Sequence, residues 1–238
     1  MNRAIVKGIA LGFVTAVLTS SAHAQSLFAN FSQAGGSKPY TFTNNGALST
    51  FALPAPQAVN FFYQVDNGYN GSSFATVIPA TMTMTSTVAA TAQSAFGQIF
   101  QPLTGITITF TADTPVGGQT NLLTITASAG SSSTGGALLG ANNGTTANFA
   151  GSVAGGDNVV MTSDFVLFNN TTLRDYQIGL TGVNLPYTMG TGSYLRTFNG
   201  DATGSFGSNP LPQSTIPEPA TLALLGLGGL ALRRRRRP

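Results

Sequence analysis

Three stretches of the chain alternate apolar and threonine residues with a period of two. They are ATMTMTSTV at 80–88, GITITFTA at 105–112 and LLTITAS at 122–128. Successive side chains of a β-strand point to opposite faces of a sheet, so each stretch presents one apolar face and one threonine face. Threonine favours an extended backbone because its Cβ is branched, and it adds no charge to the wet face. The pattern predicts half-buried strands.

Further strand candidates are AVNFFYQV (58–65), DFVLF (164–168), DYQIGLTGV (175–183) and SYLRTF (193–198). Asn-Gly pairs, which accept the positive φ of tight hairpins, occur at 45–46, 67–68, 70–71, 143–144 and 199–200. No stretch of the body shows a sustained helical stripe. We therefore predict one all-β domain over residues 25–206, an antiparallel sandwich of jelly-roll or immunoglobulin-like type.

Three segments depart from the strand pattern. AATAQSAFGQIF (89–100) is predicted to be a short connecting helix or a loop. The Gly/Ser-rich tract at 128–158 is predicted to be a long mobile loop or a weakly specified hairpin, and its composition favours the loop. Residues 207–215 are expected to form a linker to the C-terminal tail.

The first 24 residues have the three parts of a secretory signal peptide. Arg3 and Lys7 give a positive start, 8–18 is apolar, and Ala22 and Ala24 precede a cleavage point that leaves Gln25 as the mature N-terminus. The apolar part is too short for a stable span. The only histidine of the chain, His23, lies in the removed segment.

Charge and reactive side chains are scarce in the predicted mature body. Only 7% of all residues are charged, whereas about 25% is usual in soluble proteins. The chain has no cysteine. Between residues 25 and 216 there are three basic residues and six aspartates. The body is therefore mildly acidic, and nucleic acid is not an expected partner. The lack of Cys and His excludes disulfides, thiol or histidine-based catalysis and histidine-bound metal. We expect no cofactor, no metal and no enzymatic activity.

A paired-carboxylate glycosidase remains as an alternative. Its acid and base would have to come from the aspartates, of which Asp157, Asp164 and Asp175 lie nearest in sequence. Aspartates at loop ends more commonly cap turns. The cations Arg174 and Arg196 are expected to pair with Asp175 and Asp201 at the surface.

Aromatic side chains offer a second alternative, a carbohydrate-binding module. Phe61, Phe62 and Tyr63 are consecutive, so one ring of that strand must point away from the core if the sheet has a wet face. Tyr69, Tyr187 and Tyr194 fall in or near predicted loops. Burial in the core is the more common role for such rings.

The chain ends in three ordered elements. Pro217, Glu218 and Pro219 are followed by an uncharged run over 220–232, and then by five arginines. As a helix the run would measure about 20 Å, which is short against a ~30 Å hydrocarbon core. A basic cluster after an apolar segment is what stops translocation.

This ending resembles the PEP-CTERM sorting signal. The resemblance implies a recognition triplet at Pro217, Glu218 and Pro219, within a sorting signal at 216–238. It implies a transient membrane segment at 220–232, of which Ala220, Leu224, Leu227 and Leu232 are representative. The stop-transfer residues would be Arg233, Arg234, Arg235, Arg236 and Arg237.

Membership in this family implies processing by signal peptidase and by an exosortase in a Gram-negative bacterium. The chain would insert transiently in the inner membrane and then reach the cell surface or extracellular matrix. We expect a structural protein associated with exopolysaccharide or biofilm, with extracellular polysaccharide as its partner. The sorting signal itself names no ligand.

Overall fold

The computed structural model describes residues 26–64 and 77–214. Within these ranges the chain forms fifteen strands and two short 3-10 turns, Val153–Gly155 and Thr191–Ser193. The strands are β1 Ser26–Gln33, β2 Tyr40–Thr43, β3 Thr50–Ala52, β4 Gln57–Tyr63, β5 Ile78–Val88, β6 Gln93–Ala95, β7 Gln98–Val116, β8 Gln119–Ser128, β9 Gly136–Ala141, β10 Ala147–Ser152, β11 Asn158–Thr162, β12 Val166–Leu167, β13 Leu173–Asn184, β14 Phe198–Asn209 and β15 Gln213–Ser214.

The three alternating threonine stretches form parts of strands β5, β7 and β8, as predicted. In β5 and β7, Met82 pairs with Phe110 and Met84 with Ile108, and all four side chains are buried. The threonines between them lie on the opposite, wetter face. The period-two pattern therefore sets both the strand and its orientation in the sheet.

The sheet closes on itself. Thirteen strands form one sheet with antiparallel pairing throughout, and the additional β1–β14 and β5–β7 pairs complete a ring β14-β1-β4-β5-β7-β9-β10-β13. The long strands β5, β7 and β14 pair with different neighbours along their length. They thereby join the two halves of the sheet that face each other across the ring, which we call its walls. The remaining strands, β12 and β15, pair with each other. The predicted all-β antiparallel class is confirmed.

Phenylalanine rings fill the space between the walls. The ring of Phe110 on β7 lies 5.0 Å from that of Phe31 on β1, 5.1 Å from Phe61 on β4 and 5.4 Å from Phe206 on β14, measured between centroids. Phe51 on β3 meets Phe149 on β10 edge to face at 5.2 Å. These contacts cross the interior, so the inward faces share one core.

Several predicted boundaries need correction. Residues 89–100 are neither helix nor loop, because they hold the β6–β7 hairpin. Of the predicted strand 193–198 only Phe198 lies in a strand, and the rest belongs to the connection between β13 and β14. The expected linker at 207–215 contains the end of β14 and all of β15.

The Gly/Ser-rich tract at 128–158 is largely a hairpin rather than the favoured mobile loop. Its strands β9 and β10 pair with each other and with β7 and β13. The Tyr176 hydroxyl donates to the Gly135 carbonyl oxygen at 2.8 Å, which fixes the start of the hairpin. The sequence reading was wrong because glycine here provides space under tyrosine rings, not flexibility.

The ring has two ends of different character. At one end of the ring β1 and β5 begin and β14 ends. We call it the exit end, because the limits of the described ranges lie there, namely Ser26, Gln64, Val77 and Ser214. The distal end holds the β2–β3, β6–β7 and β9–β10 turns and the β13–β14 connection. β14 joins the two ends, about 36 Å apart at 3.3 Å per residue.

The packing of the tract predicts a steric effect at Gly151. A Cβ on this residue would lie 2.6 Å from both the Gly135 carbonyl oxygen and the Tyr176 hydroxyl. Gly151→Ala should therefore lower the free energy of unfolding by about 1–3 kcal/mol, measured by urea denaturation. Gly179→Ala is the matched control, since the nearest atom to its Cβ would be 3.7 Å away. Equal stability of the two variants would show that the tract is not packed as described.

Candidate functional site

The aspartates considered for catalysis act as turn acceptors. Asp157 accepts from the Ser132 hydroxyl at 2.7 Å, the Thr134 hydroxyl at 3.0 Å and the Ser152 N–H at 2.9 Å. Asp164 accepts from the backbone N–H groups of Thr120 and Asn121. Both carboxylates are thus engaged in holding loops to strands, the common structural role of Asp.

Asp175 differs from these two. It lies on β13 opposite Gly207, and its Oδ1 is buried with no hydrogen-bond partner. Burial raises the pKa of this carboxyl, and hydrogen bonds from the backbone N–H groups of Gly207 and of Asp175 itself partly oppose that rise. Within residues 26–64 and 77–214 no group of three or more acidic or histidine side chains could hold a metal ion.

The two arginines do not pair as predicted. Arg174 donates to the Thr171 hydroxyl at 2.7 Å and to the carbonyl oxygens of Val159, Phe168 and Thr171. Asp201 accepts instead from the Lys38 N–H and the Gln33 amide. Arg174 therefore ties the 168–171 loop to β11, and Arg196 is exposed at the distal end.

Most aromatic side chains that could have contacted a ligand are in the core. Phe61, Tyr63 and Tyr187 are buried, while Phe62 and Tyr194 are half-buried. Burial raises the pKa of Tyr187 and leaves its hydroxyl without a partner. Tyr69 lies outside the described residues. Among the described aromatic residues Phe96 alone is exposed, at 80%.

Phe96 also has an unusual backbone. It precedes Gly97 in the β6–β7 turn, where both residues have positive φ, +53° and +76°. This is the geometry of a type I′ turn, which favours Asn-Gly. A bulky residue in this conformation costs roughly 1–2 kcal/mol. Because the ring is exposed, its burial offsets little of that cost. Neither conformation nor burial explains phenylalanine at this position.

Leu185 repeats this combination on a neighbouring turn. It is 43% exposed and has φ +59°, although the residue before a proline is normally extended. The exposed Asn142 and Asn143 lie between the two positions. The Asn142 N–H donates to the Gly97 carbonyl oxygen at 2.8 Å and the Asn143 N–H to that of Tyr187 at 2.9 Å. We call Phe96, Asn142, Asn143 and Leu185 the distal strip.

Sequence reasoning missed the distal strip. Its signal was present in SAFGQ at 94–98, where a polar hairpin carries a large apolar residue directly before glycine. The segment was interpreted as helix or loop, so the turn that makes phenylalanine anomalous was not recognised. Leu185 could not be recognised, because its φ and exposure depend on how β13 and β14 are connected.

The predicted processing residues lie outside the described ranges. These are Ala22, Ala24 and Gln25 at the signal cleavage site, and all residues from Pro217 to Arg237. The described chain ends in β15 at Ser214, which is paired with Val166. Pro217 follows three residues later and can be at most about 10 Å along the chain from the folded domain. Among the described residues no helix is long and apolar enough to cross a membrane.

A comparison with protein-family models decides the nature of the tail. Residues 215–237 match the PEP-CTERM protein-sorting motif. The chain carries a PEP-CTERM sorting signal. The resemblance seen in the sequence is thereby confirmed, and the motif implies an exported protein that transits the membrane and is processed by an exosortase.

The PEP-CTERM motif covers only the C-terminal tail and begins directly after β15. Neither the curated proteins nor the solved structures contain a match to this chain. The role of the all-β domain must therefore be inferred from its own surface.

The contacts of Asp157 predict a structural effect of its removal. Asp157→Ala should lower the free energy of unfolding by about 1–3 kcal/mol, because the Ser152 N–H and two hydroxyls lose their acceptor. Asp113→Ala is the control, since its bond to Thr81 is exposed, and it should change stability by about 0.5 kcal/mol or less. Urea denaturation measures both. An unchanged stability of Asp157→Ala would remove its structural role and favour a catalytic one.

The raised pKa of Asp175 predicts a pH effect of defined sign. The ordinary pKa of an aspartate is 3.8, and between that pH and its own raised pKa the folded protein keeps this carboxyl protonated. The contribution of the carboxyl to stability therefore falls as the pH rises through that range. Asp175→Asn should therefore gain stability relative to wild type as the pH rises above 3.8. Paired urea titrations at each pH measure the difference. A difference that is constant with pH would contradict the assignment.

Proposed function

We propose that this protein is a non-enzymatic structural protein of the bacterial cell surface or extracellular matrix. In this proposal the all-β domain performs the function, and the tail is the signal that directs its sorting. The observation that carries it is the order of elements: an exosortase-type sorting motif follows the last strand of a folded domain after Ser214, with no intervening linker domain.

The domain's polar chemistry supports a structural role. Asp157, Asp164 and Asp201 are each engaged by backbone or side-chain donors in loops. The outward faces of β5 and β7 are lined by threonine, and no charged residue occurs in 77–112. A surface that is polar but nearly uncharged suits contact with hydrated polymer, since its hydroxyl and amide groups exchange hydrogen bonds with water and sugar alike.

The proposed route fixes the orientation of the protein during export. Residues 220–232 would insert in the inner membrane and Arg233–Arg237 would remain on the cytoplasmic side. Five residues separate Ser214 from this segment, so the exit end would stay within about 20 Å of the membrane. The distal end would then face outward, toward the surface polymer that we propose as the partner.

A secreted carbohydrate-binding module is the second candidate, and the exposed ring of Phe96 favours it. The several coplanar rings that such a module commonly uses are not among the described residues, where the other aromatics are buried or half-buried. An Asp-based glycosidase has less support, because Asp157 and Asp164 serve as acceptors within turns.

Intact-mass analysis in hosts with and without the exosortase tests the proposal. With the enzyme, the protein from extracellular material should begin at Gln25 and lack the tail. Without it, the tail should remain and the protein should stay with the membrane. Glu218→Ala in the enzyme-containing host should behave like the enzyme-free host, because the triplet is lost. A full tail in both hosts would indicate a permanent membrane anchor and contradict the proposal.

A further inference from the structure

The distal strip combines strain, exposure and absence of charge. Phe96 and Leu185 are large apolar residues with positive φ, a conformation that strains them, and both belong to the strip. Asn143 also has positive φ, which an Asn-Gly pair accepts without strain. Strained backbone that packing does not require is a pointer to function. The strip lies on three turns laced together by backbone hydrogen bonds, so its members hold fixed relative positions.

The chemistry of the strip selects a class of ligand. Two large apolar side chains flank two exposed amides, and each amide offers one acceptor and two donors. The segments 89–112, 136–156 and 176–195 contain no charged residue, and the exposed Arg196 directly after them is the one cation in the connection between β13 and β14. An apolar platform with a few orienting polar groups is typical of small-ligand sites. A sugar ring matches it, with its C–H face on Phe96 and its hydroxyl groups on Asn142 and Asn143.

The position of the strip leaves it open to such a ligand. Ser26, Gln64, Val77 and Ser214, from which the rest of the chain continues, all lie at the exit end. A tail held in the membrane would keep the exit end there, about 36 Å from the distal turns. The strip is then presented to the extracellular side.

We propose that the distal strip is a binding site for a neutral polysaccharide, with Phe96 as its stacking residue and Asn142 and Asn143 as its hydrogen-bonding residues. This inference deepens the proposed function and rests on the placement of the protein among extracellular polymer. Binding to an uncharged strip should depend little on ionic strength, because no ion pair is screened.

Phe96→Asn separates binding from folding. The substitution creates Asn-Gly at a turn that prefers it, and it removes a side chain that is 80% exposed. The unfolding midpoint in urea should therefore be equal to or above that of wild type. Leu167→Asn is the matched control, because Leu167 is an exposed apolar residue, at 42%, on β12 at the exit end.

Affinity electrophoresis of the mature protein supplies the binding measurement. Gels containing dextran, a soluble β-1,3-glucan or galactomannan should retard the wild type and Leu167→Asn equally, at both 50 and 500 mM NaCl. Phe96→Asn should bind about tenfold more weakly or worse, as expected for loss of a central aromatic contact. Asn142→Ala should weaken binding without changing the unfolding midpoint.

Three outcomes would overturn the site. One is the absence of retardation by any of these neutral polysaccharides, or retardation by anionic alginate alone. Another is equal binding by Phe96→Asn and wild type. The third is a wild-type dimer in sedimentation velocity that Phe96→Asn abolishes, without polysaccharide binding, since it would make a second copy the occupant.

Expression in the host distinguishes failure of this site from failure of the proposed function. Phe96→Asn should be exported and processed like wild type but washed more readily from the extracellular material. If both proteins are exported and retained equally, only the strip assignment fails. If wild type itself is not released from the membrane, the proposed function fails whatever the gels show.

Discussion

The contact between the rings of Phe110 and Phe206 is the one on which the rest of this structure depends. Phe110 lies on β7 and Phe206 on β14, so their edge-to-face packing at 5.4 Å joins opposite walls of the strand ring. Phe31 and Phe61 complete the cluster. Such aromatic pairs contribute roughly 0.5–1.5 kcal/mol each beyond burial. Because the chain has no cysteine, this core provides the cross-wall stabilisation that disulfides give many exported domains.

The aromatic core also accounts for the glycine content. Gly140 lies against the ring of Tyr187, and Gly151 lies against that of Tyr176. A residue with a Cβ would displace those rings, so glycine in β9 and β10 permits close packing. A composition that is typical of flexible linkers here belongs to two strands paired on both sides. The same residue type therefore has opposite consequences in a loop and beneath a ring.

Large apolar side chains divide between the core and the distal turns, and this division links fold to proposed function. The inward apolar side chains of β5 and β7, such as Met82, Met84 and Phe110, are buried, and this burial is stabilising. Phe96 and Leu185 are exposed and occupy backbone that disfavours them. Most natural proteins show a local conflict of this kind at functional sites. The exit end, in contrast, holds the limits of the described ranges, among them Ser214, after which the sorting motif begins in the sequence.

The amino-acid sequence by itself determined three strands of the sheet and the sorting signal of the protein. Threonine alternation sets the faces of β5, β7 and β8 because a strand has a side-chain period of two, and the sorting motif is a linear signal read in the order of its residues. Only the tertiary structure decided that 128–158 is largely a hairpin and that Asp157 is a turn acceptor. It also decided that the turns of Phe96 and Leu185 are both hydrogen-bonded to the β9–β10 turn. Each of these depends on which distant strands are paired, and pairing is set by a ring closure that leaves no local pattern in the sequence.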